Sequence, residues 1–156
     1  MISIQNRDTE LSLHLYKVFA KSFKSVSEHT VSSGKIPGFN STAFAVLELL
    51  YLKGQQPIQQ IGANLLLQSG NVTYVIDKLE SHGLLIRRPC PNDRRVSYAD
   101  LTETGRVLMD EAHPPYAQQL TSAFSGLDEQ EKLQLITLLK KMGKEAQRLS
   151  PATRKS

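Results

Sequence analysis

The sequence predicts a mainly α-helical fold with a small β-hairpin wing, a winged helix-turn-helix that carries N- and C-terminal dimerisation helices. Apolar residues recur at helical spacing over most of the chain. Between residues 84 and 101, two short apolar runs flank a turn-forming segment at 89–93, which is the pattern of a hairpin. Low aromatic content and long segments rich in Leu, Lys, Glu and Gln also favour helix over sheet.

Length and charge indicate one domain with a polyanionic partner. With 156 residues, the chain can form a single domain, 1–156, with a real core. Lys and Arg outnumber Asp and Glu by 19 to 15, a modest excess that suits nucleic acid. No secretory signal is present, and no apolar run approaches the ~18 residues that span a bilayer. We therefore expect a cytoplasmic protein with no membrane partner.

The sequence carries no motif of an enzyme active site. It has no Gly-rich phosphate loop, no Gly-x-Ser-x-Gly elbow and no convincing carboxylate pair. The four histidines are scattered, without a His-x-x-x-His spacing or a cysteine pair that would indicate a metal site. We expect a recognition protein that is not an enzyme and has no cofactor and no metal.

Two helices are predicted before the helix-turn-helix. Residues 8 to about 32 contain no Gly or Pro before the closing turn and place their apolar residues at helical spacing, which predicts a long first helix. Asn40 or Ser41 can cap a second helix, because both side chains accept hydrogen bonds from backbone N–H groups of the first turn. Gly54 ends this second helix.

The next segment predicts the helix-turn-helix and its wing. A short third helix is predicted over 58–65 and a fourth over 71–82, with Gly83 as its C-cap. In a helix-turn-helix, the second of the two helices enters the major groove of DNA. Residues 84–88 and 96–101 are the predicted strands of the wing.

Two further helical segments are predicted after the wing. Thr102 caps a helix in which two prolines, at 114–115, predict a kink or a break near His113, because proline lacks the N–H that a helix requires. Asp128 and Glu131 form an Asp-x-x-Glu variant of the capping box and open a final helix.

The termini are predicted to join two copies of the chain. We assign about 40–102 to a DNA-binding lobe, and about 8–33 and 103–149 to dimerisation helices. These terminal helices carry more Leu, Phe and Ile than a small monomer could cover, so we expect a homodimer. A two-fold dimer matches a pseudo-palindromic site whose half-sites lie one DNA turn, ~34–36 Å, apart.

The fourth helix is the predicted recognition helix. Its buried stripe follows i, i+3, i+4, i+7 spacing and comprises Val72, Val75, Ile76 and Leu79. The polar candidates for DNA contact on its other faces are Ser69, Asn71, Thr73, Tyr74 and Lys78. Asn71 can bond an adenine edge and Thr73 can meet a thymine, whereas Ser69 and Tyr74 can hold phosphates. The alternative is a solvated helix face.

The wing turn carries Arg94 and Arg95, which we expect to bind in the minor groove. A narrow, A·T-rich minor groove concentrates negative potential and attracts guanidinium groups. Arg87 and Arg88, on the first wing strand, are expected either to contact phosphates or to form the root of the wing. A plain surface ion pair between Asp93 and Arg95 is compatible with this role and adds little stability.

Cys90 is the one cysteine of the chain and allows two interpretations. Its turn position and the neighbouring arginines favour an exposed, reactive thiolate, as in a redox sensor. No resolving cysteine is present, however, which favours an incidental turn residue.

A candidate effector pocket lies where the lobe would meet the dimerisation helices. The aromatic and imidazole side chains on the helices that would surround it are His14, Tyr16, Phe44, Tyr51 and His113. A small aromatic or phenolic effector could stack among them, and ordinary core packing is the alternative.

The segments DKLESHGLLIRR and PNDRRVSYADLTETG resemble the MarR family of bacterial transcription regulators, and the resemblance covers nearly the whole chain. Its specific part is the Asp-Arg-Arg wing followed by Leu-Thr-x-x-Gly. The resemblance implies an obligate dimer with a ligand- or oxidant-sensing pocket between lobe and dimer helices. It also implies that the recognition helix falls on 68–80, with Gly70 at a DNA-facing position, and that the Asp93 carboxylate braces Arg95.

These observations predict a sequence-specific regulator of transcription that binds double-stranded DNA. We expect a repressor that a small, phenolic ligand or an oxidant releases from a pseudo-palindromic operator. The alternative is a winged-helix module for protein–protein interaction without specific DNA binding.

Overall fold

The computed structural model describes the backbone of residues 4–65 and 69–150, and side chains over 6–65 and 71–150. The described residues form two compact units, which divide after residue 119. In chain order, the described elements are α1 (Ile4–His29), α2 (Ser41–Lys53), β1 (Gln56–Pro57), α3 (Ile58–Asn64), α4 (Ser69–Ser81), β2 (Leu85–Pro89), β3 (Ser97–Leu101), α5 (Glu103–Ala123) and α6 (Glu129–Leu149). The predicted winged helix-turn-helix fold is confirmed.

The wing belongs to a three-stranded antiparallel sheet, whereas the sequence predicted a two-stranded hairpin. The strand order is β1-β3-β2, and β1 pairs with β3 through Gln56 opposite Ala99 and Pro57 opposite Tyr98. A strand of two residues has no apolar alternation to detect, and its proline is tolerated because β1 lies at the sheet edge. Pro57 also sits at the N-cap position of α3, so the strand leads directly into the helix-turn-helix.

Capping residues begin and end the helices as predicted. The Asn40 side chain accepts a hydrogen bond from Ala43 N at 2.9 Å and thereby caps α2. Gly54 follows the helix with a φ of 77°, which favours glycine. At α6, the Asp128 carboxylate accepts from Glu131 N at 2.9 Å while the Glu131 carboxylate accepts from Asp128 N at 2.9 Å, so the predicted capping box is confirmed.

The sequence predicted a kink or a break near His113, and the break is wrong, because α5 continues from Glu103 to Ala123 with Pro114 and Pro115 inside it. Each proline removes one backbone hydrogen bond, a cost that tertiary packing can offset. Met109 is fully buried one turn before the prolines, and Tyr116 packs against the core just after them. Packing on both sides of the prolines thus accounts for the continuous helix.

The core lies in the first unit, among α2, α3, α4, the sheet and the start of α5. Its buried side chains are Ile36, Ala43, Phe44, Val46, Leu47, Leu49, Leu50, Ile61, Val72, Val75, Ile76, Leu79, Leu84, Leu85, Ala99, Leu101 and Met109. Gly105 permits α5 to pack closely on the wing base, since a Cβ there would lie 2.0 Å from Leu84 O. The hydroxyl of Thr102 accepts from Gly105 N at 3.0 Å, which confirms the predicted cap of α5.

The terminal helices contrast with this core. On α1 the large exposed hydrophobic residues are Leu11, Leu13, Leu15, Tyr16, Val18, Phe19 and Phe23, and on α6 they are Leu133, Leu135, Ile136, Leu138, Leu139, Met142 and Leu149. No residue of α6 is buried within the described chain. The predicted surplus of apolar surface is therefore present on both helices.

The described helices also differ from membrane spans in hydropathy. None of them combines the length and the apolar character that a crossing of the bilayer requires.

Candidate nucleic-acid interface

Helix α4 separates an apolar face from a polar one, as its sequence pattern predicted. The four stripe residues are buried, with at most 4% of their surface exposed: Val72, Val75, Ile76 and Leu79. Asn71, Thr73 and Tyr74 lie on the exposed surface of the same helix. The packing of the stripe against the core thus fixes which side chains α4 presents outward.

The start of α4 is only partly described. Ser69 and Gly70 belong to the helix by their backbone, but their side-chain surroundings lie outside the described residues. Gln68, the first residue of the expected recognition helix, also lies outside them. Among the candidate residues for DNA contact on α4, Asn71 is the first whose side chain the structure describes.

Lys78 differs from the other polar candidates because its ammonium group contacts the protein itself. Its Nζ donates to Gly38 O at 2.8 Å and lies 4.9 Å from the centre of the Phe39 ring. Both partners belong to the loop between α1 and α2. A cation above an aromatic face is attracted by the negative face of the ring. Lys78 thus joins the recognition helix to this loop.

The wing turn carries an aspartate–arginine pair in a compact local geometry. Asp93 Oδ1 accepts from Arg95 N at 3.0 Å and from Arg95 Nε at 3.2 Å, while Oδ2 accepts from Arg95 Nη2 at 3.3 Å. The Arg95 guanidinium, followed by the Arg95 backbone N–H, holds the pKa of Asp93 below its ordinary value. The Arg95 side chain remains 91% exposed, so one edge of its guanidinium is oriented by Asp93 while the rest faces solvent.

Arg94 differs from the other wing arginines in its lack of a partner among the described residues. Its side chain is exposed and makes no hydrogen bond or ion pair with any residue of the described chain. The turn around it is closed by backbone hydrogen bonds, from Cys90 N to Val96 O at 3.0 Å and from Val96 N to Asp93 O at 3.1 Å. The turn therefore holds Arg94 on the outside of the wing.

The other two arginines lie at the root of the wing. Arg87 Nη1 donates to Glu80 at 3.0 Å, Nη2 donates to Asp77, and its backbone N–H donates to Glu80 at 3.0 Å. These carboxylates, Asp77 first, raise the pKa of Arg87. Arg88 pairs more loosely with Asp100 at 3.6 Å. Arg87 therefore links strand β2 to helix α4 and couples the wing to the recognition helix.

Asp77 and Glu80 were missed by the sequence interpretation. Their spacing of three places both carboxylates on one side of α4, facing the strand that follows. The sequence signal that could have indicated these ion pairs is an acidic pair on a helix that precedes a strand containing an arginine, Arg87.

Cys90 is half-buried at the start of the wing turn, directly after β2. The chain has no second cysteine, so an intramolecular disulfide is impossible.

A second cluster lies between α2 and α5, and it joins three of the five predicted effector residues. His113 Nε2 lies 3.1 Å from Glu48 Oε1, and the Tyr51 hydroxyl donates to Asp110 at 2.8 Å. The ring pairs are Tyr51 with His113 at 5.4 Å, His113 with Tyr116 at 6.4 Å, and Phe44 with Tyr116 at 4.9 Å.

Tyr116, which the sequence interpretation missed, connects this cluster to a cavity. The cavity measures ≈ 240 Å³ and is lined by Ser27, Thr30, Val31, Ser33, Gly34, Lys35, Ser41, Phe44, Ala45, Glu48 and Tyr116. Burial, followed by the charge of Glu48, raises the pKa of Tyr116. His14 and Tyr16 are exposed on α1 and do not line this cavity.

The described part of the chain contains no group of three or more His, Cys, Asp or Glu residues that could hold a metal ion.

Comparisons with known proteins agree with this geometry. The family model described as MarR family matches residues 39–97, which include α2, the helix-turn-helix and the wing turn. The uncharacterized HTH-type transcriptional regulator YkoM of Bacillus subtilis is 53% identical over 148 residues, which cover 95% of this chain and 96% of that protein. The HTH-type transcriptional regulator MhqR of the same organism is 45% identical over 135 residues, 86% of this chain and 93% of that protein.

A solved structure shares the fold as well. It is that of BpsR from Bordetella bronchiseptica, and it concerns the regulation of DNA binding of BpsR by 6-hydroxynicotinic acid. It aligns with a TM-score of 0.64 and 28% identity, and the alignment covers 83% of this chain and 98% of that one. Relatives in sequence and in structure thus extend over most of the chain.

Proposed function

The chain belongs to the MarR family of DNA-binding transcription regulators, and from this premise we propose that it is a homodimeric repressor of a pseudo-palindromic operator, released by a small aromatic ligand. It acts in the cytoplasm, where bacterial DNA lies, and has no catalytic role. The observation that carries the proposal is the exposed polar face of α4 beside a wing whose Arg95 is oriented by Asp93.

Recognition of the operator divides between helix and wing. The α4 helix enters the major groove, where Asn71 bonds an adenine edge, Thr73 meets a thymine and Tyr74 holds a phosphate. Ser69 and Gly70 complete the DNA-facing end of the helix. This division is supported by the exposure of the described α4 residues on the side opposite the buried stripe.

The wing supplies the minor-groove contacts. Arg94 has no partner among the described residues, so its guanidinium can enter the groove without breaking an ion pair. Arg95 is pre-oriented by Asp93, so its guanidinium enters at a smaller cost in conformational freedom. Arg87 and Arg88 act at the wing root, where ion pairs with the α4 carboxylates and Asp100 support the strand.

The homodimer is supported by the large exposed apolar side chains along α1 and along α6, since extended apolar surface left uncovered marks an interaction site. Two copies related by a two-fold axis present two α4 helices to half-sites ~34–36 Å apart.

Footprinting on the DNA upstream of the chain's own gene tests this function. We expect a protected inverted repeat, whereas weak, sequence-blind binding that disappears at moderate salt would indicate a protein-interaction module instead. In the protected repeat, Asn71→Ala should relax sequence preference at one position per half-site and cost ~1–3 kcal/mol for each bidentate base contact removed. Thr104→Ala, at the exposed start of α5, is the control and should bind like wild type.

The effector site is proposed for the cavity beside Tyr116. The cavity offers the Phe44 and Tyr116 rings for stacking and the Glu48 carboxylate as an acceptor, a set that suits a hydroxylated aromatic molecule. The sequence-predicted residues Tyr51 and His113 support it from the adjoining cluster, whereas His14 and Tyr16 would join only if another subunit or a rearrangement of α1 brings them near. BpsR, whose structure concerns 6-hydroxynicotinic acid, is consistent with this ligand class.

Release requires that the ligand bind better to a conformation whose recognition helices are misspaced, since equal affinity for both states shifts nothing. A titration with hydroxylated aromatic acids should weaken operator binding by wild type. Glu48→Gln should weaken that response while leaving operator affinity without ligand unchanged, and a response of wild-type size in the variant would argue against the cavity.

Oxidation at Cys90 is the second candidate trigger, supported by its partial exposure on the wing turn. Operator binding by wild type and Cys90→Ser, before and after mild peroxide or quinone treatment, separates the triggers. Loss of binding by wild type alone identifies Cys90 as the sensor, and equal behaviour identifies it as an incidental turn residue.

A further inference from the structure

Lys78 lies in the last turn of α4, and its side chain extends to the loop between α1 and α2. Its Nζ donates to Gly38 O at 2.8 Å and lies 4.9 Å from the centre of the Phe39 ring. An ammonium group has three donor hydrogens, and one is used here inside the protein. Contact with a DNA phosphate would have to compete with these two interactions.

The same loop contacts the end of α4 a second time. The Phe39 ring packs edge-on against the His82 ring with centroids 5.0 Å apart, and His82 Nδ1 lies 2.8 Å from Lys78 O. Phe39 is therefore held between the ammonium group of Lys78 and the imidazole of the residue that follows α4. Together, these two contacts restrict how the end of the helix can tilt.

The loop is itself anchored in the core. Phe39 N donates to Ile36 O at 3.0 Å, and the Ile36 side chain is buried. The next residue, Asn40, caps α2, whose buried residues form much of the core. The loop that contacts the end of α4 is thus attached to the buried core of the lobe.

We propose that Lys78 is a positioning residue, which sets the angle of the recognition helix by clamping its end to Gly38 and Phe39, and that it does not bind DNA phosphate. This inference rests on operator binding through α4. Without the clamp, α4 can tilt, so base contacts at Asn71 and Thr73 are misaligned. The number of cations that neutralise phosphates is unchanged.

Salt dependence distinguishes positioning from phosphate binding. Removal of one cation that neutralises a phosphate reduces the slope of log K against log salt by ~0.9. For Lys78→Met we expect the ratio of operator affinity to random-DNA affinity to fall about two- to fivefold with an unchanged slope. Lys78→Arg keeps the cation over the ring and should restore the ratio.

Controls use variants elsewhere on the chain. Arg94→Gln removes an open wing cation and should lower the slope, whereas Lys53→Met removes an exposed lysine in the last turn of α2 and should change neither quantity. Phe39→Leu keeps Lys78 but removes the ring, so it should reproduce the effect of Lys78→Met. The effect of the double variant should be smaller than the sum of the two single effects, because both substitutions remove the contact between the Lys78 ammonium group and the Phe39 ring.

Three results would overturn the inference: a slope for Lys78→Met that falls like that of Arg94→Gln, an unchanged affinity ratio, or additive effects in the double variant. Thermal unfolding of each variant is measured in parallel, and ratios are compared at a temperature where all are folded. Failure of the wild-type protein to protect any operator would reject the proposed function together with this inference. Operator binding with one of the three results would reject the inference alone.

Discussion

Helices α2 and α6 both carry runs of leucine, yet six of the 13 residues of α2 are buried and none of the 21 residues of α6 is. The difference lies in what surrounds them. Around α2, the other elements of the lobe supply a core from within the same chain, whereas the apolar side chains of α6 face solvent. The lobe therefore buries its own core, whereas no part of the described chain buries α6.

The largest expected effect is a loss of stability when a substitution creates a cavity in the lobe. Leu47 is 0% exposed, so Leu47→Ala should lower the free energy of unfolding by ~2–5 kcal/mol, because apolar burial is reduced and a void is left behind. Leu52, on the same helix but 60% exposed, is the matched control, and Leu52→Ala should cost well under half as much. Denaturant unfolding gives the free energy of unfolding of both variants. Equal losses of stability would contradict the difference between the buried and the exposed leucine.

Two glycines, one packed against the lobe and one on α6, extend the comparison of buried and exposed positions, with a smaller expected effect. A Cβ at Gly105 would lie 2.0 Å from Leu84 O, so Gly105→Ala should force a backbone shift and cost ~1–3 kcal/mol. At Gly143, in α6, a Cβ would meet nothing within 4 Å, and Gly143→Ala should stabilise by ~0.5–1 kcal/mol through helix propensity. The thermal unfolding midpoint should fall below that of wild type for Gly105→Ala and rise above it for Gly143→Ala. Shifts of the same sign would contradict the account.

The open face of α6 predicts a smaller effect, on association rather than on folding. Leu133 and Leu138 are 58% and 61% exposed, so replacing both with Gln should leave the lobe folded and raise the dimer dissociation constant about tenfold or more. Sedimentation velocity over a range of concentrations measures this. Lys140→Gln, on the same helix, is the control, and an unaltered dimer in the double leucine variant would show that α6 pairs through another face.

The smallest expected effect is the loss of the Asp93–Arg95 pair in the wing at low pH. Arg95 lowers the pKa of Asp93, so the folded pair contributes stability above the ordinary carboxyl pKa and loses it as the pH falls through the lowered value. An NMR titration of the Asp93 carboxyl should show the lowered pKa in wild type and a value closer to ordinary in Arg95→Gln. Identical titrations would mean that the pair does not form in solution.

Much of the fold followed from local patterns. Asn40, Gly54, Thr102 and Asp128 begin or end helices as predicted because capping depends on one side chain and its adjacent backbone. The buried stripe of α4 was likewise visible in spacing alone. Local chemistry was therefore sufficient for the elements and for the polar face of the recognition helix.

What the sequence did not reveal depends on contacts between distant residues. The two-residue strand β1 is defined by its pairing with β3. Helix α5 continues through its two prolines, where residues before and after them pack against the core. Tyr116 reaches the cavity because α5 lies against α2, and Lys78 meets Gly38 O across 40 positions of sequence. None of these contacts leaves a periodic signal in a single chain.

The composition and footprint of the operator complex test the central claim most directly. Sedimentation equilibrium of the protein on a duplex that carries its footprinted site should give two chains per duplex, with protected half-sites ~34–36 Å apart. A single chain bound to one half-site with full affinity would contradict the account, because α1 and α6 would then have no role in setting the distance between recognition helices.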